Sequence, residues 1–303
     1  MYNYPLFFNY FQRYPSFAKI IEVSPRDGLQ NEKKILSIAN KLRLIRKLED
    51  SGIREIEVGS IVNPKLVPQM SGSEDLIRFL KNKKTNYSIL IPSIKAYQNI
   101  ANQTNIHDTK CQINEIVLFT AASETFNKKN INCSIQESFE KFKPIIEQAK
   151  KDNVKIRASI SCCLGCPYEG NVPTAKVVDI INRFYEMGVD TVDIADTIGV
   201  GTAKQMNDII TQALKTVPTN FLSGHFHDTN NTALRLVEIC LSNGLNSFHS
   251  SIGGLGGCPF SPTRAGNLQT EKLVSYLHEH CITTGVDLTS LKQTSEWIRN
   301  TVK

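Results

Sequence analysis

Two histidines separated by a single residue are the feature of this 303-residue sequence that most suggests chemistry. His225 and His227 end an apolar run that predicts a β-strand, in which alternate side chains point to the same face. We therefore expect both imidazoles to lie together, where they can hold one metal ion. The alternative is an ordinary surface or core pair, so other potential ligands have to be found.

Two oxygen donors elsewhere in the chain can complete a metal site. Asp27, in the segment Pro25-Arg26-Asp27-Gly28, offers a carboxylate, and Asn267 offers an amide oxygen. Imidazoles with oxygen ligands and no thiolate suit Mg²⁺ or Mn²⁺ better than structural zinc. Each residue also has an ordinary explanation, because Asp27 can cap a helix or form a salt bridge and Asn267 can cap a helix.

Cysteine chemistry is suggested at two places. Cys258 lies in the glycine-rich segment 253–259, where the backbone can approach a ligand closely and a thiol can serve as an acid or nucleophile. Simple burial is the alternative for this residue. Cys163 and Cys166 form a Cys-x-x-Cys pair, but neither a second pair at zinc-finger spacing nor a thioredoxin-like context accompanies it.

Short β-branched runs alternate with helix-like segments along the chain. The predicted strands are residues 19–23, 54–58, 87–91, 115–119, 154–161, 191–195, 221–227 and 247–252. The predicted helices are residues 37–50, 73–81, 94–105, 134–151, 174–187, 203–215, 229–242, 269–280 and 289–302. This pattern favours an α/β fold, a (β/α)₈ TIM barrel with extra C-terminal helices from about residue 269. A doubly wound sheet is the main alternative, but no glycine fingerprint follows the first strand.

A barrel would bring the chemically interesting residues to one rim, the C-terminal ends of its strands. Arg26 and Asp27 follow the first predicted strand, and Glu57 lies in the second. Asp196 follows the sixth strand, the histidine pair ends the seventh, and the glycine-rich segment follows the eighth. This coincidence predicts an enzyme.

Composition limits the classes of partner. Hydrophobic residues make up 41% and charged residues 21% of the chain, with a net charge of +6 and no basic block typical of nucleic-acid binding. No apolar run approaches the ~20 residues that span a membrane. We expect neither a nucleic-acid nor a membrane partner. The eight scattered cysteines favour reduced thiols in a cytoplasmic compartment.

The N-terminal residues 1–18 are expected to be an extension, and residues 19–303 a single barrel domain with its C-terminal helices. The extension is rich in tyrosine and phenylalanine and contains no acidic residue. A mitochondrial presequence, and with it a mitochondrial matrix location, is therefore the alternative to a cytoplasmic protein.

Several long motifs give the sequence a resemblance to a known family. They include the following segments: Pro25-Arg26-Asp27-Gly28-Leu29-Gln30-Asn31-Glu32, Cys166-Pro167-Tyr168-Glu169-Gly170, Gly224-His225-Phe226-His227-Asp228-Thr229 and Gly253-Gly254-Leu255-Gly256-Gly257-Cys258-Pro259. Together they resemble the 3-hydroxy-3-methylglutaryl-CoA lyases, of the metal-dependent lyase and Claisen-condensing barrel superfamily. The likeness covers residues 19–288, nearly the whole chain.

The resemblance implies a role for each site residue. It implies that the metal ligands are Asp27, His225, His227 and Asn267, and that the catalytic residues are Arg26, Cys258, Glu57, Asp196 and His225. It further implies that Arg26, Gly256 and Gly257 contact the acyl-CoA substrate. The expected reaction splits hydroxymethylglutaryl-CoA into acetoacetate and acetyl-CoA, as in leucine degradation and ketone-body formation, and a homodimer is expected.

Departures from the family pattern leave alternatives open. The family usually has Asp at the position of His249, Asn at that of Ser93, Gly at that of Asn231 and Asn at that of Leu236. These changes concern acyl specificity and turnover, because all the expected ligands and Cys258 are present. The rivals are a Claisen condensation of the isopropylmalate or citramalate synthase kind and an inactive CoA- or metal-binding barrel.

Overall fold

Eight parallel strands close into one barrel in chain order, with the first strand hydrogen-bonded to the last. This computed structural model describes residues 14–104, 113–256 and 266–303. The strands are β1 (Lys19–Glu22), β2 (Glu55–Ser60), β3 (Asn86–Leu90), β4 (Ile113–Ala121), β5 (Lys155–Ser161), β6 (Thr191–Asp196), β7 (Leu222–Phe226) and β8 (Ser247–Ser250). The predicted (β/α)₈ barrel is confirmed, since a doubly wound sheet would have two open edges.

Helices connect the strands and follow the last one. Within the described ranges they are α1 (Ile38–Asp50), α2 (Ser73–Ile77), α3 (Ile94–Thr104), α4 (Glu124–Ile131), α5 (Ile135–Lys151), α6 (Thr174–Glu186), α7 (Ala203–Ala213), α8 (Ala233–Ser242), α9 (Thr270–Glu279) and α10 (Leu288–Val302). The last two are the extra C-terminal helices that the sequence predicted.

Local sequence explains where the longer helices begin. The Ser37 hydroxyl accepts a hydrogen bond from the Asn40 N–H at the start of α1. At the start of α5, Ser134 and Glu137 form a reciprocal capping box. Both helices then bury an apolar stripe against the barrel, including Leu44 and Leu48 of α1. The main apolar core therefore lies between the strands and the surrounding helices.

Three helices differ most from the sequence prediction, and one of them, α8, begins at Ala233 rather than at residue 229. Helix α4 was not predicted, because its sequence Glu-Thr-Phe-Asn-Lys-Lys-Asn-Ile has few apolar residues and no helical hydrophobic period. Helix α2 ends at Ile77 rather than at residue 81. Beyond Ile77 the backbone forms tighter turns, since the N–H groups of Phe79 and Leu80 bond to carbonyls three residues earlier.

The thiols of the Cys-x-x-Cys pair have separate partners. Cys163 Sγ donates to the Ile160 carbonyl at 3.0 Å, and Cys166 Sγ donates to the Ser123 hydroxyl at 3.0 Å. All six cysteines in the described part of the chain are free. These contacts fit buried thiols better than a zinc or disulfide site.

The described end of the expected N-terminal extension runs beside the segment before α10. The Thr283 N–H donates to the Ser16 carbonyl and the Ala18 N–H to the Thr283 carbonyl, both at 2.9 Å. The boundary at residue 19 stays a prediction. Among the residues that the structure describes, no helix has both the length and the apolar character needed to cross a membrane.

Candidate metal centre and active site

A π-helical turn at Ser24–Gly28 directly follows β1 and places two of the expected site residues. Its hydrogen bonds span five residues, from the Gly28 N–H to the Val23 carbonyl and from the Leu29 N–H to the Ser24 carbonyl. Turns of this kind are rare in proteins, and those that do occur are often found at functional sites. Arg26 is 7% and Asp27 9% exposed, so a guanidinium and a carboxylate lie side by side at the buried mouth of the barrel.

The histidine pair lies at the end of β7, as the alternation of a strand requires. His225 is in the strand and His227 lies just beyond it, where its N–H donates to the Asp196 carbonyl at 3.2 Å. The two ring centroids are 5.8 Å apart. The expectation that both rings share one face is confirmed.

Asp27, His225 and His227 form a buried three-residue cluster. One potential ligand atom of each lies within 4.8 Å of those of the other two, and Asp27 Oδ2 is 3.8 Å from His225 Nε2. Nδ1 of His227 is buried and has no hydrogen-bond partner among the described residues. A carboxylate and two imidazoles, one of which has an unsatisfied ring nitrogen, are a donor set that fits a divalent cation.

The protonation states of this cluster also suit a cation. Burial, followed by the neighbouring His249, lowers the pKa of His225 to about 3. Burial likewise lowers the pKa of His227. Burial opposes ionisation of Asp27, but Arg26 and the two histidines outweigh it and hold the pKa of this carboxyl well below its ordinary value. Neutral imidazoles and an ionised carboxylate are the ligand forms that bind metals.

Asn267 reaches the cluster from the segment that precedes α9. Its Nδ2 lies 2.7 Å from Asp27 Oδ2 and 3.2 Å from the Leu255 carbonyl oxygen. The N–H of Asn267 also donates to the Gly256 carbonyl at 2.9 Å. A carboxylate favours the amide nitrogen as its neighbour, whereas a cation favours the amide oxygen, and the two differ by a rotation of the terminal amide.

The guanidinium of Arg26 is held on both sides by carboxylates. Its Nε donates to Glu57, and its Nη1 donates to Asp27 Oδ1 at 2.7 Å. Burial alone would lower the pKa of Arg26, but Glu57 and Asp27 outweigh it and raise that pKa. Arg26 therefore stays charged beside the metal cluster, with two of its five N–H donors engaged by these contacts.

Glu57 belongs to an ion-pair network that runs through the barrel interior. Its Oε2 accepts from Arg157 at 2.9 Å, so its carboxylate bridges Arg26 and Arg157. Burial opposes ionisation of Glu57, yet the two arginines outweigh it and lower its pKa. Arg157 also pairs with Asp193 at 2.7 Å, and Asp193 lies 3.0 Å from His249 Nε2. Glu57 thus contacts the site through Arg26.

Arg157 and Asp193 were missed in the sequence. Both are charged residues in the middle of apolar strands, β5 and β6, and each is at most 1% exposed. A charged residue inside an otherwise β-branched run is the signal that could have indicated them, because such a group needs a buried partner of opposite charge. The sequence does not reveal which strands supply that partner.

Asp196 lies at the end of β6 with its carboxylate turned to the following loop. Its oxygens accept the N–H groups of Val200 at 3.1 Å and Gly201 at 2.8 Å. Burial raises the pKa of this carboxyl, while the loop N–H groups oppose the rise. In this arrangement Asp196 shapes the β6 loop, and its backbone carbonyl supports His227.

Gly256 is required for the close approach of the glycine-rich segment to Asp27. Its φ is +87°, and a Cβ there would lie 2.7 Å from the Asp27 carbonyl oxygen and 2.9 Å from Asn267 Nδ2. Any larger residue would therefore displace the π-helical turn. Gly257 and Cys258, the expected substrate-binding and catalytic residues of this segment, lie outside the described residues.

Comparisons with known proteins agree with this geometry. The HMGL-like family model matches residues 18–298. The chain is 42% identical over 285 residues to the mitochondrial hydroxymethylglutaryl-CoA lyase of Homo sapiens, covering 94% of this chain and 85% of that protein. The crystal structure of hydroxymethylglutaryl-CoA lyase from Pseudomonas aeruginosa is similar with a TM-score of 0.90 and 39% identity, covering 96% and 94% of the two chains.

A further solved structure is an HMG-CoA lyase from Acinetobacter baumannii in complex with coenzyme A and 3-methylmalate. It is similar with a TM-score of 0.87 and 31% identity, covering 95% of this chain and 92% of that one. Both the family model and these relatives extend over more than nine-tenths of the sequence. The chain therefore belongs to the HMGL-like family.

Proposed function

We propose that this protein is a divalent-cation-dependent carbon–carbon lyase that cleaves 3-hydroxy-3-methylglutaryl-CoA to acetoacetate and acetyl-CoA. The observation that carries the proposal is the buried cluster of Asp27, His225 and His227 with the Arg26 guanidinium 2.7 Å from the Asp27 carboxylate. Relatives that cover nine-tenths of the chain are lyases of this name. A Claisen condensation is not favoured, and the intact set of potential ligands argues against an inactive barrel.

The metal site would be formed by Asp27, His225, His227 and Asn267. The unsatisfied Nδ1 of His227 and the lowered pKa of both imidazoles support this assignment. The mixture of imidazole nitrogens and oxygens favours Mg²⁺ or Mn²⁺. When bound, such a cation acidifies and orients the tertiary hydroxyl of the substrate.

Arg26 would stabilise the negative charge that develops during cleavage. The tertiary hydroxyl passes its proton to a general base and the bond between C2 and C3 breaks, so that C3 becomes the carbonyl carbon of acetoacetate. The electron pair of the broken bond passes to C2, giving the enolate of acetyl-CoA. The contacts of Arg26 with Glu57 and Asp27 fix its planar guanidinium before substrate arrives. Its remaining donors can then bind the thioester oxygen more strongly as an enolate than as a neutral carbonyl.

Cys258 would deliver the proton that converts the enolate into acetyl-CoA. A thiol that follows several glycines would be able to approach the substrate carbon, and Gly256 and Gly257 would leave room for the thioester. The close contact of Gly256 with Asp27 supports a location of this segment beside the metal cluster. We also place His225 and Asp196 in the catalytic group, His225 as a ligand and Asp196 as the acid that shapes the neighbouring loop.

The substrate and the cellular setting complete the proposal. An acyl-CoA ligand is supported by the relative whose structure contains coenzyme A. We further propose a homodimer and a cytoplasmic location, with the mitochondrial matrix as the alternative, since the human relative is a mitochondrial enzyme by name. Leucine degradation is the setting in which this reaction would serve.

One experiment tests the proposed reaction. Protein stripped of metal by a chelator should produce no acetoacetate from hydroxymethylglutaryl-CoA, and addition of Mg²⁺ or Mn²⁺ should start production. Incubation of acetyl-CoA with a keto acid tests for condensation in the same preparation. Acetoacetate formation in the presence of excess chelator would contradict the metal assignment, and condensation without cleavage would contradict the lyase.

A further inference from the structure

Glu22, the last residue of β1, is a completely buried carboxyl with three hydrogen-bond donors around it. Its Oε1 accepts the backbone N–H groups of Ser24 and Ile252, each at 3.0 Å. Its Oε2 accepts the hydroxyl of Thr270 at 2.6 Å. The three donors belong to three different segments of the barrel rim.

Each of these segments leads directly to a residue of the candidate metal centre. Ser24 begins the π-helical turn that contains Asp27. Ile252 begins the short turn that leads to Gly256, and Thr270 begins α9, three residues after Asn267. Glu22 therefore accepts hydrogen bonds from all three segments. Two of these segments carry proposed ligands, Asp27 and Asn267, and the third carries Gly256, which packs between them.

The contacts among these segments leave little freedom for displacement. Asn267 Nδ2 lies 2.7 Å from Asp27 Oδ2, and a Cβ on Gly256 would lie 2.7 Å from the Asp27 carbonyl oxygen. A change in the separation of the segments would thus change the separation of the ligand atoms. Metal affinity is sensitive to such changes, because groups behind the ligands commonly alter it by about 10- to 100-fold.

The surroundings of Glu22 do not favour its charged form. Its hydrogen-bond partners in the described part of the chain are all uncharged, two peptide groups and one hydroxyl. Burial consequently raises the pKa of Glu22 to about 7, although the Thr270 hydroxyl and the two N–H groups oppose the rise. A buried carboxyl without a cationic partner is costly for folding, so its use here calls for a specific reason.

We propose that Glu22 is a positioning residue that holds Asp27 and Asn267 at the separation needed to share one divalent cation. Glu22 acts through the backbone N–H groups of Ser24 and Ile252 and through the Thr270 hydroxyl at the start of α9. It touches neither substrate nor cation. The inference rests on the proposed metal centre and deepens it, since it identifies what sets the geometry of the ligands.

The test is Mn²⁺ binding to the full-length, metal-stripped protein, measured by titration calorimetry without substrate. Glu22→Ala should weaken Mn²⁺ binding by about 10-fold or more. Glu22→Gln should restore most of the affinity, because its amide oxygen can accept both N–H groups and its amide nitrogen can donate to Thr270. A Gln variant as weak as the Ala variant would overturn the positional account.

Asn127→Ala is the matched control for a general loss of stability. Asn127 is also completely buried, and it joins α4 to its surroundings through hydrogen bonds to the Cys133 carbonyl and the Thr120 hydroxyl. The elements β4 and α4 carry none of the site residues. We expect Asn127→Ala to lower the melting temperature and leave Mn²⁺ affinity unchanged. Equal losses of affinity in the Asn127 and Glu22 variants would overturn the inference.

A second variant keeps the inference testable if Glu22→Ala does not fold. Thr270→Val removes one of the three hydrogen bonds to Glu22 and leaves the carboxyl in place, so it should weaken Mn²⁺ binding by a smaller factor than Glu22→Ala. Parent-like affinity in whichever of these variants folds would overturn the proposal, and absence of Mn²⁺ binding by the parent would overturn the metal centre with it. A parent that binds Mn²⁺ but makes no acetoacetate would contradict the proposed reaction alone.

Discussion

Replacing Arg26 by lysine distinguishes two possible roles of this residue. The guanidinium either stabilises the enolate or only supplies a positive charge that stabilises the fold. Lysine keeps the charge but has a single terminal nitrogen, so it cannot reproduce the planar set of donors. In the structure Arg26 bonds to Glu57 through Nε and to Asp27 through Nη1, which leaves other N–H groups for a substrate oxygen. If the guanidinium serves the enolate, the lysine variant should be nearly as inactive as Arg26→Ala.

The expected loss of rate follows from the kind of contact. A fixed donor to a developing oxyanion contributes ~3–4 kcal/mol, or roughly 10²–10³ in rate. Because this contact is stronger with the enolate than with the thioester, kcat should fall much more than substrate affinity. The cost in stability should be limited in the lysine variant, since Glu57 keeps its 2.9 Å ion pair with Arg157 and lysine keeps a charge near Asp27.

The assay compares kcat, KM and melting temperature for Arg26→Lys, Arg26→Ala and the control Arg235→Lys. Arg235 lies on α8, its side chain is 63% exposed, and its ion pair with Glu238 is on the surface. The control should behave like the parent, because exposed pairs of this kind contribute little. A stable lysine variant with parent-like turnover would refute the catalytic role of Arg26.

Three further outcomes are expected. His227→Ala should weaken Mn²⁺ binding or activity by roughly 10-fold or more, and unchanged affinity in calorimetry would exclude this ligand. Cys258→Ser should bind Mn²⁺ normally but lose on the order of 10²-fold in rate, and a parent-like rate would assign the proton to another donor. Burial raises the pKa of Glu22 from 4.5 to about 7, so the stability from this group is complete below pH 4.5 and is lost as the pH rises through about 7. Chemical denaturation should therefore show the parent losing roughly 3 kcal/mol relative to Glu22→Gln between these pH values, and a pH-independent difference would contradict the shift.

The sequence was sufficient to predict the barrel and the pairing of the histidines. The eight apolar, β-branched runs correspond to the eight strands because strands buried on both faces need such residues. His225 and His227 share a face because the side-chain period of a strand is two. Both predictions depend only on local periodicity, which a single sequence displays directly.

Other features depend on contacts between distant segments. The π-helical turn at Ser24–Gly28 has no distinctive local period, so its insertion after β1 could not be predicted. The position of Glu57 between Arg26 and Arg157 requires the register of β1, β2 and β5 in the closed barrel. Asp196 was expected in the catalytic group, and only the structure shows that its carboxylate accepts N–H groups of its own loop.

The junction of β1 with β8 has a consequence for the order in which the protein becomes able to bind metal. Asp27 follows the first strand, whereas His225, His227 and Asn267 all belong to the last third of the chain. A nascent chain on the ribosome lacks the complete set of proposed ligands until the codon for Asn267 has been read and the final strand has paired with the first. A divalent cation should therefore stabilise the finished barrel and not its shorter precursors, because the ligands near the C-terminal end of the chain are synthesised last.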